Sequence, residues 1–359
     1  MTRHRYIISP FLAFIFLCAC AFPVFSESSK APIPENFSFI AVGDTHLGDE
    51  AATERFQKIV EHVNFRRPAF FIICGDNVDV DSKEQWEIFE RLTSKLEVPL
   101  HTAIGNHDSY LSTKLYKERR GKLYYSFDYG NFHFIVLDNA QQFNNATLFM
   151  QPGNKPAQWK WLREDIKTPA AHKFVFFHFP VYGNRSMLDP QYLQATPPEK
   201  RQREVDEMIR LFKENGVEYI VFGHRHSYER EVLEGIVHLR TGGGGGSRAS
   251  ETDEKDVGFI QFFVGPDGVA DVPVYIYGEP VELSFGNPKK ALAVGESVRY
   301  VVDGVDEAGR RLAVRPEFSV RGEIGGITAD GLFTATKAGE GAIVAGLGKI
   351  EEMLVVRIH

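Results

Sequence analysis

The chain has 359 residues, 43% hydrophobic and 25% charged, with a formal net charge of −7. These values fit an ordinary globular protein of about two domains. The acidic balance offers no basic face for nucleic acid, and no long charge run marks a solvated tail.

Residues 1–26 read as a targeting segment. Arg3, His4 and Arg5 make a basic start, and YIISPFLAFIFLCACAFPVF is almost wholly apolar. The expectation is a cleaved export signal and a periplasmic or secreted protein. A retained anchor, or a lipoprotein attached through Cys20 of LCAC, are the alternatives. Cys18 and Cys20 both fall in this segment, so Cys74 has no partner for an internal disulfide. It ends the run FFIIC and reads as a buried, inert thiol. No later segment is long and apolar enough to cross a membrane.

From residue 36 to 278 apolar runs alternate with amphipathic segments, which predicts an α/β core. ERFQKIVEHV (54–63) sets Phe56, Ile59, Val60 and Val63 on one helical face. SKEQWEIFERL predicts a second helix with Ser82 as its N-cap. PAQWKWLREDI starts a third at Pro156 and repeats Trp159, Leu162 and Ile166. Residues 199–214 stack Val205, Met208, Ile209 and Phe212, and Gly216 closes that helix. Beyond Gly278 the texture changes to short alternating strands, separated by turn signals at Asp303-Gly304, Ala308-Gly309 and Asp330-Gly331. Residues 281–359 therefore predict a small β-sandwich.

Five apolar runs end alike. FSFIAVGDTH delivers Asp44 and His46, FFIICGDNVD delivers Asp76 and Asp79, and LHTAIGNHD delivers Asn106, His107 and Asp108. KFVFFHFP ends in His178, and YIVFGHRHSYER supplies His224 and His226. Strand ends of this kind are where α/β proteins gather ligands and catalytic groups. Carboxylate, imidazole and an amide carbonyl, without thiolate, suit manganese, iron or zinc. Seven such groups exceed one tetrahedral site and suit two adjacent ions with a bridging carboxylate.

These five blocks resemble the calcineurin-like metallophosphoesterase superfamily, over nearly all of residues 37–278. The resemblance implies a two-sheet β-sandwich flanked by helices, with metals at the strand ends. It also implies that Asp44, His46 and His226 hold one of two divalent or trivalent ions, that Asn106, His178 and His224 hold the other, and that Asp76 bridges them. Hydroxide generated by the cations would attack phosphorus in line with the leaving oxygen. His107 would act as general acid, with Asp79 orienting it. GHRHSYER and the following TGGGGG are most similar to the branch near purple acid phosphatases. That branch lacks a histidine at the position of His46 and has a tyrosine ligand where this chain has Asp79, which argues against ferric-tyrosinate chemistry. Many relatives place an arginine where Val80 stands, so a phosphate-binding arginine must come from elsewhere or be absent. In the tail, GGITADGLFTATKAGEGAIVAG resembles bacterial immunoglobulin-like domains. This implies a spacer or adhesion module that contacts a cell surface or glycan.

The functional expectation is an exported dinuclear-metal phosphoesterase acting on a small or macromolecular phosphate ester. The alternative is a catalytically inactive, metal-containing surface protein that works through its tail. His62, His101, His133, His172 and His238 read as core or satisfied groups rather than ligands. Gly242 to Gly246 reads as a flexible loop near the site rim, because no lysine and serine or threonine follow as a nucleotide loop requires. Arg225, Tyr182 and Arg248 stand where they could touch substrate or only solvent.

Overall fold

The computed structural model describes residues 36–110, 112–141, 145–146, 156–182, 186–188, 197–246, 256–265 and 268–359. The targeting segment, with Cys18 and Cys20, and Arg248 lie outside the described residues. Among the described residues five helices flank the sheets: α1 (Glu50–Arg66), α2 (Lys83–Thr93), α3 (Lys114–Arg120), α4 (Pro156–Asp165) and α5 (Pro198–Glu214). No helix among the described residues is long and apolar enough to cross a membrane.

Local chemistry sets the helix limits. Asp49 caps α1 by accepting from the Ala52 amide at 2.8 Å, so the helix begins ahead of the periodic window read from the sequence. Phe56, Ile59, Val60 and Val63 are all buried. Ser82 caps α2 as expected. α3 was not anticipated: seven residues bury only Tyr116, too little periodicity to read.

Two large sheets form the body. The first has eight strands in the order Glu282–Phe285, Val302–Val305, Arg311–Ala313, Gly268–Tyr275, Gly258–Gly265, Phe37–Val42, Phe71–Cys74, Leu100–Ala103. The second has six: Tyr228–Leu233, Ile236–Thr241, Val217–Phe222, His172–Phe176, Phe132–Val136, Tyr125–Tyr129. Strands Phe37–Val42, Phe71–Cys74 and Leu100–Ala103 run parallel, as do Phe132–Val136, His172–Phe176, Val217–Phe222 and Ile236–Thr241. Parallel strands covered on both faces read as unbroken apolar runs, which is the pattern of FIIC and FHFIV.

Side chains alternate across the sheets. Phe39, Ile72, Phe134, Phe174 and Phe262 point into the space between them. There Phe39 stacks on Phe262 at 4.3 Å and meets Phe174 edge-on at 5.4 Å. Ile40, Val42, Phe71 and Ile73 belong to the outer core, together with Phe56, Val60 and Trp86 of the helices. Each buried phenylalanine contributes about 1.5–3 kcal/mol. The architecture is the expected helix-flanked sandwich.

Three strands beyond residue 281 belong to the first large sheet. Val274 and Tyr275 pair in parallel with Arg311 and Leu312, and Val302–Val305 continues the ladder. Arg66 of α1 meets Asp303 at 2.6 Å with both side chains 1% exposed. The remaining tail strands form a four-stranded and a three-stranded sheet around Leu292, Tyr300, Phe333, Ile343 and Val356.

Candidate metal centre

The five strand-end loops meet and are laced together by backbone bonds. The Asp44 amide donates to Gly75 O at 3.0 Å and the His46 amide to Asp76 O at 2.9 Å. The His107 amide donates to Asp76 Oδ1 at 2.9 Å, and the His224 amide to Asp44 Oδ1 at 2.9 Å. Glycine is required where these loops touch. A Cβ on Gly105 would stand 2.1 Å from Asp76 Oδ1 and 2.2 Å from its amide nitrogen. Asp44, His46, Asp76 and His224 all adopt left-handed backbone, with φ of 59°, 41°, 52° and 71°. Such residues cost of order 1–3 kcal/mol each and persist where the surroundings over-determine them.

All seven predicted ligands converge. Around one point, His46 Nε2 lies 3.1 Å from His226 Nε2 and 4.0 Å from Asp44 Oδ1, while His226 Nε2 lies 3.7 Å from that same oxygen. Around a second, His178 Nε2 lies 3.0 Å from Asn106 Oδ1 and 3.2 Å from His224 Nδ1, which is 3.1 Å from Asn106 Oδ1. Asp76 Oδ2 stands between the groups, 3.4 Å from His46 Nε2 and 3.2 Å from His178 Nε2.

The donor atoms fit metal ions. Donors roughly 2.0–2.2 Å from a common ion, at angles of about 90–110°, stand about 2.8–3.6 Å apart. Most separations above fall in that span. His178 Nδ1 faces Cys74 O at 2.9 Å, which in the neutral tautomer makes Nε2 an acceptor aimed at another acceptor, Asn106 Oδ1. A metal ion between them, or a proton on Nε2, reconciles such lone pairs. The buried Asp44 Oδ2 has no hydrogen-bond partner, another coordination point.

The charges point the same way. Burial pushes Asp44 up to about 7, opposed by His178 and reinforced by Asp76. At His178 burial works against the charge, but Asp76 and Asp44 outweigh it and raise the imidazole to about 9. Burial likewise opposes Asp76, yet His178, His107 and His46 hold its carboxyl well below the usual range. Without a metal, protons on histidine play the cation's part. His226, lowered to about 3 by burial and by His46, keeps a lone pair for coordination.

His107 sits beside the centre, 11% exposed at its side chain. Its Nδ1 is 2.6 Å from the Asp79 carbonyl oxygen and 3.7 Å from the Asp79 carboxylate. The backbone of Asp79 thus makes the shorter contact, whereas its carboxylate lies nearer His46 Nδ1, at 3.4 Å. Burial lowers His107 below its ordinary value, and Asp76 and Asp79 only partly oppose this.

Sequence reasoning missed the braces. Asp108 accepts from the amides of Gly105 at 2.8 Å and Val78 at 3.1 Å and from Asn77 Nδ2 at 2.8 Å, stapling two ligand loops. Asn139 Oδ1 accepts from the amides of His178 and Phe179, both at 3.0 Å. Asn139 follows the apolar run FHFIVLD, so the strand-end rule that found the ligands could have found it. The glycine run is not a loose rim: Gly244 and Gly246 donate to Gly43 O and Asp44 O at 2.7 and 3.1 Å, beneath the first ligand loop. Cys74 is buried, and burial raises its thiol well above the ordinary value. His133 is held between Asp128 at 2.6 Å and Asp165 at 3.0 Å, a satisfied core group.

Similarity to known proteins agrees with this geometry. The chain is 25% identical over 284 residues to purple acid phosphatase 23 of Arabidopsis thaliana, covering 64% of this chain and 56% of that protein. It is 28% identical over 171 residues to human acid phosphatase type 7, covering 43% of this chain and 38% of that protein. The chain thus spans little more than half the length of the first relative and less of the second. Among solved structures, a dimetal phosphatase from Danio rerio superposes with a TM-score of 0.52 at 15% identity, covering 68% of this chain and 96% of that chain. That likeness shows the fold. Residues 37–228, more than half of the chain, match the family described as calcineurin-like phosphoesterase, and the chain belongs to it.

Proposed function

We propose that this chain hydrolyses phosphate esters at a centre of two metal ions, of manganese, iron or zinc. Asp44, His46 and His226 would hold one ion, Asn106, His178 and His224 the other, with Asp76 shared. The observation that carries this reading is the place of Asp76 Oδ2, within 3.4 Å of one donor group and 3.2 Å of the other. Bound there, two cations lower the pKa of water toward neutrality and offset the negative charge of a phosphate ester.

The chain's own residues supply the rest. His107 donates through Nδ1 to the Asp79 carbonyl, so it would hand a proton from Nε2 to the departing alkoxide only as the imidazolium, the form that Asp76 and Asp79 favour against burial. Asp76 Oδ1 fixes the His107 backbone, tying the proton donor to the bridging ligand. Asn139 and Asp108 hold their loops against displacement, since misplacement of about 1 Å can cost 100-fold in rate. The basic and apolar start of the sequence supports export as part of the same reading.

The test is phosphate release by the protein loaded with manganese, iron or zinc, against a panel of mono- and diesters. Asp76→Asn should lose metal and turnover together. Turnover that survives thorough chelation, or a fully active Asp76→Asn, would defeat the reading. A protein that binds two metals and turns over no ester would favour the inactive surface role.

A further inference from the structure

Arg225 lies between His224 and His226, both placed at the metal centre. Its side chain is half-buried, and its Nε is buried without a hydrogen-bond partner. Among the described residues it makes no side-chain hydrogen bond and no salt bridge. Arg66 also leaves its Nε without a partner, but its guanidinium meets Asp303, and Arg240 meets Glu229 and donates to Ser227 O at 2.9 Å. A half-buried guanidinium whose Nε has no partner is a donor left open for an anion.

A second arginine stands near, paired with Glu229. Burial lowers Arg240, Glu229 opposes this, and Arg225 lowers it further, while Asp44 of the metal centre acts on it as well. The two arginines therefore feel each other, and one of them feels a metal ligand. Val80, which follows Asp79, is 39% exposed and brings no positive charge there.

We propose that Arg225 is the substrate's phosphate-binding residue, donating its guanidinium fork to oxygens of the ester that the metals do not hold. This rests on the phosphoesterase reading and adds a specificity element to it. A fork of parallel N–H donors suits two phosphate oxygens and is not reproduced by lysine. A dianionic monoester, with more charge and more terminal oxygens than a diester, gains most from it.

The experiment compares Arg225→Gln and Arg225→Lys with the parent protein, each loaded with manganese and checked for metal content. Inorganic phosphate binding is followed by calorimetry, and KM and kcat are measured for p-nitrophenyl phosphate and bis-p-nitrophenyl phosphate. Arg225→Gln should keep its metal and its melting temperature. It should weaken phosphate binding and raise KM for the monoester about 10- to 150-fold, the range for a lost charge-assisted hydrogen bond. The diester should suffer less, and Arg225→Lys should fall between. Equal phosphate binding in parent and Arg225→Gln, or equal losses for the two esters, would overturn the assignment while leaving the phosphoesterase reading intact. A parent that neither binds phosphate nor hydrolyses either ester would overturn both.

Discussion

Removing the Asp303 carboxylate should destabilise the whole body, although Asp303 belongs to the tail and lies in a strand remote in sequence from every ligand. Arg66 Nη2 donates to Asp303 Oδ1 at 2.6 Å, and Nη1 reaches Gln261 Oε1 at 3.4 Å. The guanidinium also lies over the Phe259 ring at 5.3 Å. With both partners 1% exposed, solvent cannot replace the lost carboxylate. Asp303→Ala leaves a buried cation facing a hole, and breaking such a pair costs about 3–5 kcal/mol. At about 2 °C per kcal/mol for a protein of this size, the melting temperature should fall by roughly 6–10 °C. Replacing both partners, as Arg66→Met with Asp303→Leu, should restore most of the loss, because the desolvation of two charges disappears with them. The assay is urea unfolding followed by circular dichroism, with phosphate release measured at 25 °C on the folded fraction. A shift below about 1 kcal/mol for Asp303→Ala, or two transitions of which only one moves, would refute the claim that tail strands and sandwich share one cooperative sheet.

Gly105→Ala should keep its secondary structure but lose bound metal and at least about 100-fold in turnover, since the new methyl would overlap the Asp76 backbone; metal analysis equal to the parent would contradict this. His107→Ala should retain both metals and lose about 100- to 10,000-fold on an alkyl ester but much less on a p-nitrophenyl ester, whose leaving group needs no proton. Equal losses on the two would remove the general-acid role. His238 is buried, and burial lowers it to about 4 from 6.5. The unfolded chain takes up this proton first, so stability falls as pH drops from 6.5 toward 4, by about 2 kcal/mol at pH 5. His238→Leu should flatten that part of the unfolding profile, and an unchanged profile would show that other groups dominate.

Much of the site could be read because the strand-end pattern concentrates it: five apolar runs each name their ligands, and Gly75, Gly105 and Gly223 announce the close approaches. The helical faces of α1 and α5 were equally visible, since Phe56, Val60, Val205 and Phe212 keep a 3.6-residue period. Asp303-Gly304 misled, because a turn-like pair lies within the strand Val302–Val305, where a buried arginine compensates the aspartate. That compensation spans 237 positions and leaves no local mark. The glycine run misled in the opposite direction: its lack of side chains permits burial against Gly43 and Asp44 rather than mobility. Asp108 and Asn77 could not be told from ordinary turn residues, since their partners are amides and carbonyls that exist at every position.

Asp44, His46, Asp76 and His224, four candidate ligands in left-handed backbone, would tie cation occupancy to amide protection. Ions bound there would help to fix the neighbours that hold each φ, so chelation should release the backbone as well as the imidazoles. Hydrogen exchange at the amides of Asp44, His46 and His224 would then report metal loading directly. Glycine at any of these positions would ease the twist and surrender the ligand.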